Sequence, residues 1–272
     1  MSRNPYSDLF IYYLSGKFRP GREFWPEHYI GSWEEDGFSF LFFTHPSLAL
    51  VETLVSRLPD ISLLDHYHMS YSQWQGGDIT PCRIGCFRIT PPWFSEAQMP
   101  GPDTLILDPG VVFGTGTHPT TQDCMAALEL AFSHSPAETV LDLGTGTGLL
   151  ALAAAKLGAR RVLAADLTLL AAQTARRNVR LNHLEDRILV IQGDAEKVID
   201  FPGDLVISNI HFDVMVKLIQ SDGFLKKKQF ILSGLMRSQA SRILSDLAHL
   251  PVTLIRTWDQ SGTWFTFYGK IR

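Results

Sequence analysis

The sequence predicts an α/β protein in which a doubly wound, largely parallel sheet follows a small α+β domain. Three observations carry this. From Glu138 onward, short apolar runs alternate with helix-favouring segments, the pattern of a parallel sheet covered by helices on both faces. Residues 140–148, VLDLGTGTG, run from an apolar stretch into three glycines spaced by two, and a helix-favouring run follows directly. Before residue 104 the pattern changes to short strand-like runs, one helical stretch and a Gly/Pro-rich tract.

Taken in order, residues 30–43 hold two strand-like runs about a Glu35-Asp36-Gly37 turn, and residues 48–58 read as a helix. Residues 83–90 read as a strand approaching the larger domain. The expected division is 1–70 for the α+β domain, 71–103 for a linker with the approach strand, and 104–272 for the main domain. There Thr139–Leu143 is a buried strand, and Leu149–Leu157 is an Ala/Leu-rich helix stopped by Gly158. Residues 161–165 form the next strand, ending at Asp166, and residues 170–181 an amphipathic helix with Arg176, Arg177 and Arg180 toward water. Residues 188–192, 204–208 and 230–233 are three more strands, the last followed by a helix near 238–248. Residues 252–258 and 263–271 close the chain as a hairpin about 260–262, an antiparallel edge that brings the sheet to seven strands.

Composition bounds the rest. The 272 residues are 45% hydrophobic and 19% charged, which fits a folded globular chain rather than a disordered one. The most apolar stretch, 149–165, is broken by Lys156, Arg160 and Arg161, so no membrane span is expected. Residues 10–14 are too short an apolar run for a secretory leader, and a cytoplasmic location is the expectation. Cys82, Cys86 and Cys124 lack a second pair at ligand spacing, so no metal site is expected. His66 and His68 could share a strand face; as polar residues of a linker they carry no chemistry. Residues 1–109 hold 7 Lys and Arg against 13 Asp and Glu, an acidic balance that suits a basic protein partner better than a nucleic acid.

The glycines of residues 144–148 sit where backbone must approach a ligand closely, at the carboxyl edge of the first strand, where doubly wound sheets bind ligands. Asp166 ends the second strand, where a carboxylate accepts ribose hydroxyls, and Asp194 ends the third, within reach of an adenine amino group. A dinucleotide fingerprint needs a small third residue, and that position is Leu149. Asp142, two residues before Gly144, adds an acid that suits a cation. The set D-x-G-x-G-x-G therefore points to S-adenosylmethionine rather than a nicotinamide dinucleotide, and to a methyltransferase rather than an oxidoreductase. Asn209, at the fourth strand's end, can hold an amine through its carbonyl oxygen without burying a charge.

At this point the sequence resembles the bacterial ribosomal protein L-eleven methyltransferase family. The resemblance lies in LDPGVVFGTGTHPTT (residues 107–121), SNIHFDVM (208–215), FILSGL (230–235) followed by Gln239, Trp264, and GSWEEDGFSFLFF (31–43) in the front domain. It implies a small substrate-recognition domain, a linker and a Rossmann-like catalytic domain that methylates lysine side chains or α-amino groups of a ribosomal protein. It also implies that Phe113, Thr115, Gly116, Thr117 and His118 cover the cofactor and touch the substrate. Gly144, Gly146 and Gly148 would pack under its methionine part, with Asp142, Asp166 and Asp194 around it, and Asn209 would face the amine. His118 and His211 are the candidate bases, if one is used. The sequence departs from the family's pattern at Thr168, where a second acid is usual, in a tract at 72–80 without Lys or Arg, and at His211 and Phe212. The first barely touches cofactor binding, while the other two leave another protein substrate open; an inactive cofactor-binding adaptor is a separate alternative, against which Asp142, Asp166 and Asn209 stand.

Overall fold

Buried and less buried side chains alternate along residues 8–15 and 38–43, which form strands. The computed structural model of the protein describes residues 4–18 and 25–272, which divide into two compact units at Thr80/Pro81. The first unit holds β1 (Asp8–Ser15), β2 (Tyr29–Glu35), β3 (Phe38–Phe43), α1 (Leu48–Val55), β4 (Ser62–Ser70) and α2 (Tyr71–Gln75). Its antiparallel sheet has the order β2-β3-β1-β4, and Tyr12, Leu14, Leu41, Phe43 and Val51 pack on one face. His66 and His68 belong to strand β4 and not to a linker. They pair with Tyr12 and Phe10, and His68 stacks on Phe10 at 4.5 Å with its Nε2 3.0 Å from Asp8. Their stretch escaped detection because β4 is an edge strand of mostly exposed side chains, which erases the apolar alternation.

The second unit opens with β5 (Cys82–Ile84), β6 (Phe87–Thr90) and β7 (Thr104–Ile106), a small sheet in that order. The approach strand expected at 83–90 is thus a hairpin, turned at Gly85 with φ +56°. The break between the units falls within the 71–103 tract, whose second half carries the small sheet β5-β6-β7 up to Ile106.

Next come α3 (Pro119–His134), β8 (Thr139–Leu143), α4 (Leu149–Leu157), β9 (Arg161–Asp166), α5 (Leu169–Leu181), β10 (Ile188–Gln192) and α6 (Ala195–Val198). The chain continues through β11 (Leu205–Asn209), α7 (Phe212–Ile219), α8 (Asp222–Leu225), β12 (Gln229–Met236), α9 (Arg237–Leu247), β13 (Val252–Gln260) and β14 (Trp264–Ile271). The seven strands lie in the order β10-β9-β8-β11-β12-β14-β13, with parallel pairing from β10 through β12 and antiparallel pairing of β14 with both its neighbours. Alternate residues of each parallel strand go to opposite faces. Val140, Leu205 and Ile207 pack with Met125, Leu128 and Ala175, while Leu141, Leu143 and Val206 pack with Met215, Leu218 and Ile243. Helices on both faces bury the strands twice over, which is why their sequences read as unbroken apolar runs. Among the described residues, no helix is long and apolar enough to cross a membrane.

One expectation about α5 changes. Arg177 does not simply face water: its Nη1 donates to Asp108 Oδ2 at 2.8 Å. The helical period put Arg177 on the outside, but residues 106–110 run over that flank and supply the carboxylate.

Candidate active site

Adjacent parallel strands bring their carboxyl ends side by side, so β10, β9, β8 and β11 present Asp194, Asp166, the glycine turn and Asn209 along one edge. The turn is stitched to β9: Gly144 and Thr145 donate their amides to Ala165 O at 2.9 and 3.0 Å. Gly146 donates its N–H to Asp166 Oδ2 at 3.0 Å. Gly144 and Gly146 have φ of +76° and +55°, which a side chain would strain. A Cβ at Gly144 would collide with Ile210, and one at Gly146 would lie 2.5 Å from Phe113 O. Gly148 (φ +86°) caps α4, and a Cβ there would meet Ala175 Cβ at 3.1 Å.

Asp142 is 1% exposed. Its Oδ2 accepts the Thr145 hydroxyl at 2.6 Å and the Ala151 amide at 3.1 Å, tying the strand end to the first turn of α4. Its Oδ1 is buried with no hydrogen-bond partner, and burial pushes the carboxyl up to about 6. Asp194 caps α6, accepting Glu196 N–H at 3.0 Å, and the neighbouring Gly193 amide donates to Asp166 O at 2.8 Å.

The segment at 106–118 is held by residues that sequence reading passed over. Asn178, fully buried, accepts Asp108 N–H at 2.8 Å and donates to Asp108 O and Thr147 O at 2.9 and 2.8 Å. Asn182 accepts Ile106 N–H at 2.9 Å and donates to Ile106 O at 2.7 Å. Thr147 in turn donates its amide to Phe113 O at 3.2 Å and its hydroxyl to Gly114 O at 2.7 Å. The available signal was two asparagines four apart on the same helix stripe as Ala171 and Ala175. Beyond Gly114, the Thr115 and Thr117 hydroxyls lie 2.8 Å apart, and a Cβ on buried Gly116 would sit 2.5 Å from Ile84 Cδ1. Phe113 is 58% exposed.

Asn209 and His118 meet through Thr120. Asn209 Nδ2 donates to Thr120 Oγ1 at 3.3 Å, and Thr120 Oγ1 lies 2.8 Å from His118 Nδ1. His118 caps α3, its Nδ1 accepting the Thr120 amide at 3.3 Å. The imidazole packs edge-on against Phe113 at 5.3 Å and Trp264 at 5.2 Å, and burial lowers its pKa, favouring the neutral ring. A Cβ at Gly234 (φ +83°) would approach Asn209 Oδ1 to 2.8 Å, so that glycine keeps the oxygen clear. His211 is exposed and makes no side-chain cap on α7.

The profile of the family described as "Ribosomal protein L11 methyltransferase (PrmA)" matches residues 67–272. A relative of that name from Desulfitobacterium hafniense is 41% identical over 185 residues, covering 67% of this chain and 58% of the relative. Another, from Anoxybacillus flavithermus, is 35% identical over 192 residues, covering 68% and 59%. The chain thus spans under two thirds of the length of these curated relatives. A crystal structure of ribosomal protein L11 methylase from Lactobacillus delbrueckii subsp. bulgaricus is 32% identical with a TM-score of 0.61, covering 71% of this chain and 99% of that one. With the seven-stranded order, the glycine turn and the asparagine loop in place, the chain belongs to the ribosomal protein L11 methyltransferase family.

Proposed function

We propose that this protein is an S-adenosylmethionine-dependent N-methyltransferase that acts on lysine or α-amino groups of ribosomal protein L11. The observation that carries the reading is the Asn209 amide, turned by Thr120 so that its carbonyl oxygen is left for an incoming N–H, beside a turn kept free of side chains at Gly144 and Gly146. The name shared by the relatives supports the substrate. The cytoplasm, where ribosomes are assembled and work, is the corresponding location. Residues 1–80 would present the protein partner, their acidic balance suiting a basic ribosomal protein and not a nucleic acid.

The side chains fit the cofactor. Gly144, Gly146 and Gly148 leave a cradle that a Cβ would fill, and the unpartnered Asp142 Oδ1 offers negative charge to a cation. Asp166 would take ribose hydroxyls and Asp194 the adenine edge, with Phe113, Thr115, Gly116 and Thr117 covering the bound molecule. S-adenosylmethionine, when bound, supplies a methyl group on a positively charged sulfur.

The chain's own work is then positioning. Asn209 Oδ1 accepts an N–H of the amine, which aims the nitrogen lone pair away from the amide; orientation of this kind is worth several kcal/mol. Desolvation of a lysine as it enters the site would lower it from its usual range near 10.4 and ease loss of its proton to solvent. His118 is a poor base in this arrangement, because Nδ1 is already an acceptor and the neutral ring then carries its hydrogen on Nε2. It serves as a wall and a cap.

The test is incubation with labelled S-adenosylmethionine and purified L11, followed by mapping of the label. Label on a lysine or the α-amino group is the expected result. In a parallel incubation with a cognate cell lysate, label on a different protein and none on L11 would replace the substrate, and cofactor binding with no transfer to any protein would make the chain an adaptor.

A further inference from the structure

We propose that Thr120 is a positioning residue for the amine step, its single hydroxyl, oriented by His118 Nδ1, fixing the amide orientation of Asn209. This rests on the methyl-transfer reading above. Thr120 sits in the first turn of α3, 1% exposed, and contacts two residues far from each other in sequence. Its own amide donates to His118 Nδ1, so that nitrogen holds no hydrogen. The hydroxyl 2.8 Å from the same Nδ1 must therefore donate to it as well. With its one hydrogen committed there, Thr120 Oγ1 can only accept on its other side, and it accepts Asn209 Nδ2 at 3.3 Å.

The direction of this chain, from Asn209 through Thr120 to His118, has two consequences. A flipped Asn209 amide would set its carbonyl oxygen against an oxygen with no hydrogen to give, so the flip is disfavoured and Oδ1 stays available. His118 is locked as the neutral Nε2–H form. The Thr120 backbone is braced separately: Ser233 Oγ donates to Thr120 O at 3.4 Å and lies 2.6 Å from Thr266 Oγ1, which reaches Asp123 at 3.4 Å. Removing the hydroxyl therefore leaves the helix start and the amide bond to His118 in place while releasing the Asn209 amide.

The experiment compares Thr120→Val, which keeps the branched shape, with Thr120→Ser, which keeps the hydroxyl. Turnover on the protein substrate, cofactor affinity and the nitrogen NMR signals of the His118 ring are read for each. Thr120→Val should lower kcat about tenfold, the rate equivalent of one net hydrogen bond, with cofactor affinity unchanged and His118 still in the Nε2–H form, because the amide of residue 120 still donates to Nδ1. Thr120→Ser should stay near wild type. In an Asn209→Ala background Thr120→Val should cost nothing further. Full turnover in Thr120→Val, an undiminished cost in the double variant, or an Nδ1–H ring in the wild type would each overturn the proposal. The ring signals need no substrate and no variant, so they decide the tautomer if Thr120→Val fails to fold. They also decide it if the wild type transfers no methyl group, which would instead sink the reading of the enzyme.

Discussion

Gly146 gives its backbone N–H to the Asp166 carboxylate over 3.0 Å, so the acid proposed to hold the ribose also fixes the turn proposed to hold the methionine part. One substitution therefore strikes twice. Asp166→Ala should weaken S-adenosylmethionine binding by about 1.5–3 kcal/mol, the range for hydrogen bonds to a charged group. Asp166→Asn, which can still accept from Gly146, should lose less. Calorimetry on folded variants checks both, and unchanged affinity for Asp166→Ala would take Asp166 out of the site.

Asp142 gives a pH signature. Its folded pKa of about 6 lies above the ordinary carboxylate value. Below both values the folded and unfolded chains hold the proton alike, and the stabilising contribution is fully present. As pH rises toward 6 the unfolded chain has released a proton that the folded chain keeps, and stability falls by about 3 kcal/mol in total. A cationic ligand favours the ionised acid, so binding should release a proton below about pH 6 and tighten with rising pH until it levels off above that point. Asp142→Asn should flatten the profile. Wild-type affinity that does not change between about pH 5 and 7 would show that Asp142 never meets the cation.

Asn178 should matter for stability more than its neutrality suggests. Its three bonds join α5 to Asp108 and Thr147 with no solvent to replace them. Asn178→Ala removes three buried hydrogen bonds at once and should cost about 2–4 kcal/mol in urea unfolding. Asn182→Ala, at a half-buried position, should cost less. Equal, small losses in both would mean that the segment at 106–110 is held by packing alone.

Asn209→Ala should lower turnover far more than cofactor affinity, since its bond to the amine counts most at the transition state. Asn209→Asp places a charge that holds the substrate as ammonium, and its activity should recover as pH rises and the proton leaves. A rate that stays flat with pH in Asn209→Asp would remove the amine from this position.

The glycine turn, Asp166, Asp194 and Asn209 were legible because each ends an apolar run, and a strand end in a parallel sheet is a place as well as a residue. The first unit was half legible: β2 and β3 announce themselves around Asp36-Gly37, while β4 shows no alternation because its side chains are exposed. Helix α3 was missed although His118-Pro119 marks its start. Thr120, Thr121 and Asp123 are buried beside Cys124, Met125 and Leu128, so polar residues on the inner face blur the apolar period. The Thr120–Asn209 bond joins residues 89 apart. Nothing local encodes such a pair; only the closing of the sheet brings them together.

Thr147 spends its amide, its hydroxyl and its carbonyl on three different neighbours: Phe113, Gly114 and Asn178. The segment over the turn is consequently no independent flap. Letting a ligand pass by lifting residues 113–114 means breaking Thr147's hold, and Thr147 shares a carbonyl with a helix whose own amide grips Asp108. The covering strip, the turn and α5 then melt or hold as one cooperative piece. Ligand exchange through that route follows the free energy of local unfolding rather than the ease of bending a hinge, and a substitution that stabilises α5 from its far end slows release without touching the ligand.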